Sequence, residues 1–132
     1  MNSQNAKPVQ YLSVSDLYNI NFTVTDGDTF VRDINLLESA AKRPSIVVFG
    51  QEQFPTLIEK AAALMHSLAA HHLFADGNKR TALLATQHFL ENNGCSVSWD
   101  ENAVEDYLLE VAQSQHPVEE VRSWLEPFVS CV

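Results

Sequence analysis

Two apolar, helix-periodic segments joined by a short polar loop constrain the fold of this chain more than any other feature. From residue 55 to residue 70, apolar residues recur every three or four positions, as on the buried face of an amphipathic helix. From residue 78 to residue 92, they lie on more than one face, which is typical of the central helix of a bundle. We therefore predict an all-α fold built around the second of these helices.

The rest of the chain favours shorter helices and one small β element. Ser13 and Asp16 match the capping box that begins a helix, and Pro44 ends a second helix. The apolar face predicted for that second helix comprises Ile34, Leu37, Ala40 and Ala41. Residues 46 to 49 are apolar and mostly β-branched, and they indicate one half of a small hairpin. Two further helices are expected to close the chain.

Length and composition fit a single globular domain. The chain has 132 residues, of which 45% are hydrophobic and 19% charged, enough to bury a core of its own. We expect a flexible N-terminal arm over residues 1–10 and one domain over residues 11–132. The polar start lacks the apolar segment of a signal peptide, and no apolar run approaches a membrane span. These features predict a cytoplasmic protein that has no membrane partner.

The charge balance and the cysteines limit the partners and the redox chemistry. A formal net charge of −9 argues against direct nucleic-acid binding, which needs a basic face along the phosphate backbone, but it leaves room for a small anion site. Two cysteines, Cys95 and Cys131, do not make a disulfide framework. We expect both to be reduced thiols in a cytosolic protein.

The densest chemistry lies in the stretch HHLFADGNKRTALL, residues 71–84. Asn78, Lys79 and Arg80 fall in the first turn of the central helix, where backbone N–H groups are unpaired and the helix dipole is positive. A lysine and an arginine at such a turn favour phosphate binding. Gly77 lets the backbone approach the phosphate closely. The alternative for Lys79 and Arg80 is a solvated pair of surface charges.

Other residues of the stretch have two interpretations each. Asp76 fits a ligand of a divalent metal that bridges phosphate oxygens, and it also fits the N-cap of the helix. His72 fits a general base that accepts the proton of an attacking hydroxyl, and otherwise a structural histidine. Phe74 is expected in the core in either case. No common zinc pattern fits the other histidines of this region, which are His66, His71 and His88.

The residues HLFADGNKRTA resemble the signature of the Fic/Doc superfamily, and specifically its Doc (death-on-curing) branch. The Fic pattern reads H-x-F-x-[DE]-[GA]-N-G-R, and the Doc pattern has lysine in place of the second glycine. The chain fills the Doc form without a gap, and the matching residues are His72, Phe74, Asp76, Gly77, Asn78, Lys79 and Arg80. Similar flanking segments extend the resemblance from residue 11 to about residue 128.

The resemblance implies a Fic/Doc-type helical bundle with a small β-hairpin flap. It assigns His72 as the general base and Asp76 as the residue that acts on Mg²⁺. The implied phosphate-binding positions are Gly77, Asn78, Lys79 and Arg80. Residues 45 to 54 correspond to the flap, which aligns an extended target segment by strand addition. The centre of that flap comprises Ile46, Val47, Val48, Phe49 and Gly50.

The resemblance also implies an activity. Doc proteins are toxins of toxin–antitoxin modules, and the implied reaction uses ATP and Mg²⁺ to transfer the γ-phosphate to a threonine or serine hydroxyl of a protein. The implied target is elongation factor Tu, whose modification stops translation. The implied second partner is a small, separate antitoxin protein. Two alternatives stay open: transfer of AMP instead of phosphate, and a catalytically silent module that binds its antitoxin.

Overall fold

In the computed structural model, the described residues are 7–114 and 116–131. They form six α-helices, which are α1 Val14–Val24, α2 Ile34–Lys42, α3 Leu57–Ala70, α4 Asn78–Asn92, α5 Glu101–Ser114 and α6 Val118–Leu125. Two antiparallel pairs of short strands accompany them, β1 Val47–Val48 with β2 Gln51–Glu52 and β3 Cys95–Val97 with β4 Val129–Cys131. The predicted all-α fold with a small β-hairpin is confirmed.

Helices α3 and α4 together form the centre of the bundle. Helix α3 is packed against α2, α4, α5 and α6, while α4 packs against α1, α3 and α5. Residues 60–65 of α3 are all buried, and Phe89 and Leu90 of α4 have no exposed surface. Removing this apolar surface from water, worth about 25 cal/mol per Å², is the main force that holds the two helices together. The prediction that α4 is central is correct, but α3 shares that position.

The start of α1 follows from a local sequence signal, whereas the burial of side chains in α2 follows from how the helices pack. The predicted capping box of α1 is present, since Ser13 Oγ accepts from the N–H of Asp16 and the Asp16 carboxylate accepts from the N–H of Ser13. In α2, Leu37 and Ala40 lie in the core as predicted. The prediction for Ile34 is wrong. It is 52% exposed, because it is the first residue of the helix and the apolar face reaches the core only one turn later.

Strands β1 and β2 form the predicted flap as a tight hairpin. Its two-residue turn consists of Phe49 and Gly50, which both have positive φ, 51° and 77°. Two successive positive φ angles match the right-handed twist of the paired strands, which is why glycine is favoured in such turns. The side chain of Phe49 is fully exposed at the tip. The hairpin therefore presents an apolar residue to solvent, and among the described residues its strands pair only with each other.

A buried lysine ties both ends of the hairpin to α3. The Nζ of Lys60 lies 2.7 Å from Glu52 Oε1, donates to the carbonyl of Phe54 at 2.6 Å and reaches the carbonyl of Pro44 at 3.4 Å. These acceptors lie on either side of the turn, so one ammonium group joins the two ends of the flap. Three acceptors also compensate the charge of a side chain that is only 1% exposed.

The segment before α1 is attached to the end of α4. The N–H of Gln10 donates to Asn93 Oδ1 at 2.8 Å, and the carbonyl of Gln10 accepts from Asn93 Nδ2 at 2.9 Å. Residues 1–6 of the predicted arm lie outside the described residues. Within the described part of the chain, no helix combines the length and the apolar character needed to cross a membrane.

A second strand pair joins the end of the chain to the segment after α4. Strands β3 and β4 pair so that Cys95 lies directly opposite Cys131, and the two residues form a disulfide. The prediction of two reduced thiols is therefore wrong for this structure. The partner strand β4, which follows α6, was not predicted either. Both features depend on the chain returning to β3 after two helices. No local sequence pattern predicts such a return.

We expect the Cys131→Ser variant to be less stable than the oxidised protein by roughly 2–4 kcal/mol, because the disulfide closes a long loop and restricts the unfolded chain. The two cysteines are 36 positions apart, and Cys131 is exposed, so serine fits there without leaving a cavity. The measurement is the free energy of unfolding in urea, with and without a reductant. Reduced wild type should match the variant, and an unchanged midpoint on reduction would contradict this prediction.

Candidate active site

Residues 71–77, between α3 and α4, form the loop that carries most of the motif, and we call it the motif loop. A short pairing with the segment before α2 holds this loop in place. Val31 and Phe74 form an isolated antiparallel bridge. On one side of this bridge, the N–H of Arg32 donates to the carbonyl of Leu73 at 2.8 Å. On the other side, the N–H of Ala75 donates to the carbonyl of Phe30 at 2.9 Å. Leu73 and Phe74 are 0% and 1% exposed. The predicted core position of Phe74 is confirmed, and it anchors the loop in the bundle.

The side-chain amide of Asn78 closes the loop from the other end. Its Oδ1 accepts from the N–H of Phe74 at 3.0 Å, and its Nδ2 donates to the carbonyl of Phe74 at 2.8 Å. Both groups of the amide are thus used within the loop. Asn78 gives the site its shape, and its predicted contact with phosphate stays a prediction.

Helix α1 packs tightly against the turn at Gly77. This glycine has a φ of +75°, and a Cβ built on it would lie 3.0 Å from Thr25 Cγ2 and 3.1 Å from Val24 Cγ2. The neighbouring Asn21, fully buried on α1, donates through Nδ2 to the carbonyl of Asp76 at 2.8 Å. Only glycine combines this backbone conformation with this close approach.

The structure decides against the capping role of Asp76. The N-cap of α4 is Gly77, and no side chain caps the helix. Asp76 instead accepts a hydrogen bond of 2.8 Å from the N–H of Gly77 through Oδ1. The alternative interpretation of Asp76 as N-cap is therefore wrong, because the left-handed residue that reverses the chain, Gly77, lies one position later. The N–H groups of the first turn of α4 consequently remain available to a ligand.

Five of the six residues predicted as base, metal ligand or phosphate-binding positions line one cleft of about 340 Å³. The lining contributed by the motif comprises His72, Ala75, Asp76, Gly77, Asn78 and Lys79. Arg80 is exposed and does not line this cleft, although it lies in the same helical turn. The opposite wall comes from α5. A possible base, a carboxylate and a lysine thus face one space at a positively polarised helix terminus.

His72 is exposed at the mouth of this cleft. Among the described residues, no ion pair engages its ring. Its neighbour Leu73 is fully buried and holds the backbone in place. An accessible imidazole on a rigid backbone can accept a proton from an incoming hydroxyl.

A second pocket, of about 320 Å³, adjoins the same end of α3 and shares no lining residue with the first. Ile46 of the flap and His71 line it, together with Arg43. Arg43 Nη1 donates to Ser67 Oγ and lies 2.9 Å from His66 Nδ1. Burial lowers the pKa of His66, and the charge of Arg43 lowers it further. His66 is therefore a neutral structural histidine, consistent with its place outside the predicted site.

Two contributions to the site were not predicted from the sequence. Asn21 supports the motif loop from α1, and the only signal for it is an amide within the apolar pattern of Leu17 and Ile20. The α5 wall, formed by Leu109, Ala112 and Gln113, carries no motif that would link it to the loop.

The chain is similar to known proteins over most of its length. The model of the Fic/DOC family matches residues 11–90, which include the whole motif loop and α4 up to Leu90. A protein named Toxin Doc, from Mycolicibacterium smegmatis, is 37% identical over 123 residues, covering 92% of this chain and 95% of that protein.

We expect Gly77→Ala to destabilise the protein by about 1–3 kcal/mol more than Gly94→Ala. Both glycines have positive φ, +75° and +84°, so both substitutions carry the same backbone strain. A Cβ at Gly94 meets nothing within 4 Å, whereas a Cβ at Gly77 is forced against α1. The measurement is the free energy of unfolding in urea. Equal losses for the two variants would show that the approach of α1 is not tight.

Proposed function

Because the chain belongs to the Fic/DOC family, we propose that it is the toxin of a toxin–antitoxin module that transfers the γ-phosphate of ATP to a threonine or serine hydroxyl of a target protein. The observation that carries this proposal is the single cleft that joins His72, Asp76 and Lys79 at the uncapped start of α4. The similarity to a protein named Toxin Doc over nearly the whole chain supports the toxin assignment.

The proposed chemistry needs one proton acceptor and a strong anion site. His72 accepts the proton of the target hydroxyl, and the hydroxyl oxygen forms a bond to the γ-phosphorus. The bond from that phosphorus to the β,γ-bridging oxygen breaks, and ADP leaves. The N–H groups of the first turn of α4 and the ammonium of Lys79 stabilise the charge that spreads over the phosphate oxygens. Positioning and charge stabilisation supply most of the catalysis in such reactions.

The donor set of the cleft fits Mg²⁺ held jointly with a nucleotide. Asp76 lines the cleft, and its Oδ1 is oriented by the N–H of Gly77. Among the described residues, no cluster of three or more His, Cys, Asp or Glu side chains exists that could hold a metal without the substrate. One carboxylate with phosphates and water is the usual coordination of Mg²⁺. The ion would neutralise charge on the phosphates, and Asp76 would fix its position.

Lys79 favours phosphate transfer over AMP transfer. The Fic pattern has glycine at this position. The resemblance implies that the inner phosphates of ATP then bind in the phosphate-binding cradle at the start of the helix. A lysine adds bulk and a point charge within the cradle. Lys79 is half-buried and lines the cleft, where it would disfavour that orientation. We therefore propose that ATP binds in the reverse orientation, with its γ-phosphorus towards the target hydroxyl.

The flap is the proposed docking site of the target. Within the part of the chain that the structure describes, its two strands pair only with each other. Val47, Val48 and Phe49 are 58%, 46% and 100% exposed. An extended target segment added to the edge of this pair would gain backbone hydrogen bonds and apolar contacts. On the family resemblance, we take elongation factor Tu as the target and a separate small protein as the antitoxin.

ATP labelled at either the γ- or the α-phosphorus separates the two transfer reactions. With the purified protein in bacterial cell extract, we expect a labelled protein band from γ-labelled ATP only. Lys79→Gly should reduce the labelling, and we do not expect that single change to create an efficient AMP transferase. Label from α-labelled ATP alone would overturn the phosphate assignment in favour of AMP transfer.

The matched control for this assay is His72→Ala. His72 is exposed, so the variant should remain folded, while loss of a general base lowers the rate about 10²- to 10⁴-fold. A folded variant with wild-type labelling would refute the role of His72. A wild type that labels nothing from either nucleotide would favour a catalytically silent module.

Asp76→Asn tests the metal role without disturbing the loop. Asparagine retains an oxygen that can accept from the N–H of Gly77, so we expect the free energy of unfolding to change by less than about 0.5 kcal/mol. The lost charge should raise the Mg²⁺ concentration needed for half-maximal activity. The measurement is a Mg²⁺ titration of the labelling reaction. An unchanged titration curve would exclude Asp76 as a metal ligand.

A further inference from the structure

The pocket of about 320 Å³ beside the flap has no role in the chemistry described so far, and we call it the flap-side pocket. Leu36, Ala40 and Ile46 form its apolar part, and the rest of its lining is polar. The chain has a formal net charge of −9. Even so, no aspartate or glutamate of the described residues lines this pocket. Its permanent charge is the guanidinium of Arg43.

Arg43 is held in place through one of its three nitrogens. Its Nη1 donates to Ser67 Oγ at 2.9 Å and lies 2.9 Å from His66 Nδ1. An arginine can only donate, so the imidazole nitrogen is the acceptor. The guanidinium also lies over the ring of Phe54, 5.6 Å from its centre. These contacts fix the position of the guanidinium without using all of its donors.

The other two nitrogens of Arg43 can bind an anion. Among the described residues, Nε and Nη2 make no hydrogen bond, and no carboxylate forms an ion pair with the guanidinium. Burial lowers the pKa of Arg43, because the charged form loses part of its hydration. Such a charge is stabilised when an anion replaces the lost water. Nε and Nη2 together present two parallel N–H groups, which match the two oxygens of a carboxylate.

The position of the pocket indicates where this carboxylate comes from. The pocket shares no lining residue with the cleft at the start of α4, so its occupant is not the nucleotide of the proposed reaction. Ile46 of the flap lines the pocket, and so does His71, which immediately precedes His72. A target segment on the flap would therefore pass the pocket close to the point where its hydroxyl meets His72. The apolar lining suits the methylene groups of an acidic side chain.

We propose that the flap-side pocket is a carboxylate subsite, in which Arg43 binds an aspartate or glutamate of the target protein. An extended segment advances about 3.3 Å per residue, so the acidic residue lies within about four residues of the acceptor hydroxyl. Arg43 is then a residue that determines target specificity and has no contact with the nucleotide. The proposal rests on the proposed function for one point, the docking of the target segment at the flap.

Acetate and acetamide, its neutral isostere, test the pocket without any reaction. In an NMR titration of the whole chain, acetate should shift the Arg43 Nε–H signal with a Kd on the order of 10–100 mM, and acetamide should not. Arg43→Lys should weaken acetate binding, because an ammonium cannot present two parallel N–H groups. No saturable shift with acetate, or an equal shift with acetamide, would overturn the proposal. Inorganic phosphate bound about tenfold more tightly than acetate would replace the carboxylate by a phosphate.

Ser39→Asp blocks the pocket without changing the arginine. Ser39 lines the pocket one helical turn before Arg43, so the new carboxylate can pair with the guanidinium. Ser39→Asn is the matched control, because it has nearly the same size and no charge. Ser39 is exposed, so both variants should remain folded. The aspartate should abolish the acetate shift and the asparagine should retain it. Equal acetate binding in the two variants would contradict the proposal.

The protein that γ-labelled ATP labels in cell extract, once purified, tests the link to the target. Ser39→Asp should raise the KM for this protein about 10- to 100-fold and leave the KM for ATP unchanged, whereas Ser39→Asn should change neither. Mass spectrometry should locate an aspartate or glutamate within about four residues of the modified hydroxyl. Its replacement by the corresponding amide should raise the KM of wild type by a similar factor and add nothing in Ser39→Asp.

The outcomes separate this proposal from the proposed function. A KM for the target that is equal in the two Ser39 variants, or a modified hydroxyl without a nearby acid, would overturn the carboxylate subsite and leave phosphate transfer intact. If no protein is labelled, the proposed function fails, and the assignment of the pocket to a target fails with it. The acetate titration would still decide whether Arg43 binds a carboxylate.

Discussion

The two hydrogen bonds between the side chain of Asn78 and the backbone of Phe74 determine the shape of the site. They close a five-residue loop at the point where the chain passes from α3 to α4. Phe74 is buried, so the closed loop cannot shift without disturbing the core. His72 lies just before this loop, and Asp76 lies within it. Their relative positions are therefore fixed by the packing of one aromatic side chain and by one amide.

The site also depends on parts of the chain that are distant in sequence. Helix α1 approaches the turn at Gly77 so closely that a Cβ there would lie 3.0 Å from Thr25 Cγ2, and Asn21 donates to the carbonyl of Asp76. The flap is tied to α3 by Lys60, whose charge is compensated by acceptors at both ends of the hairpin. The cleft at the start of α4 and the pocket beside the flap share no lining residue.

The sequence by itself determined the features that depend on neighbouring residues. The periodicity of residues 55–70 and 78–92 predicted the two central helices, and α4 has the predicted bounds. The capping box fixed the start of α1, because both of its hydrogen bonds join residues three positions apart. His72, Asp76 and Lys79 line one cleft, since a loop and a helical turn bring near neighbours in the sequence to one place.

Only the tertiary structure decided the features that depend on which elements meet. Cys95 and Cys131 pair because β4 returns to β3 after two helices, and a local pattern contains no information on such a return. Ile34 lies on the predicted apolar face of its helix, yet its side chain is 52% exposed. The N-cap of α4 is Gly77 and not Asp76, because contact with α1 and the left-handed backbone place the turn there. The α5 wall faces the motif loop only through helix packing, a long-range consequence of burying the apolar faces of α3, α4 and α5 together.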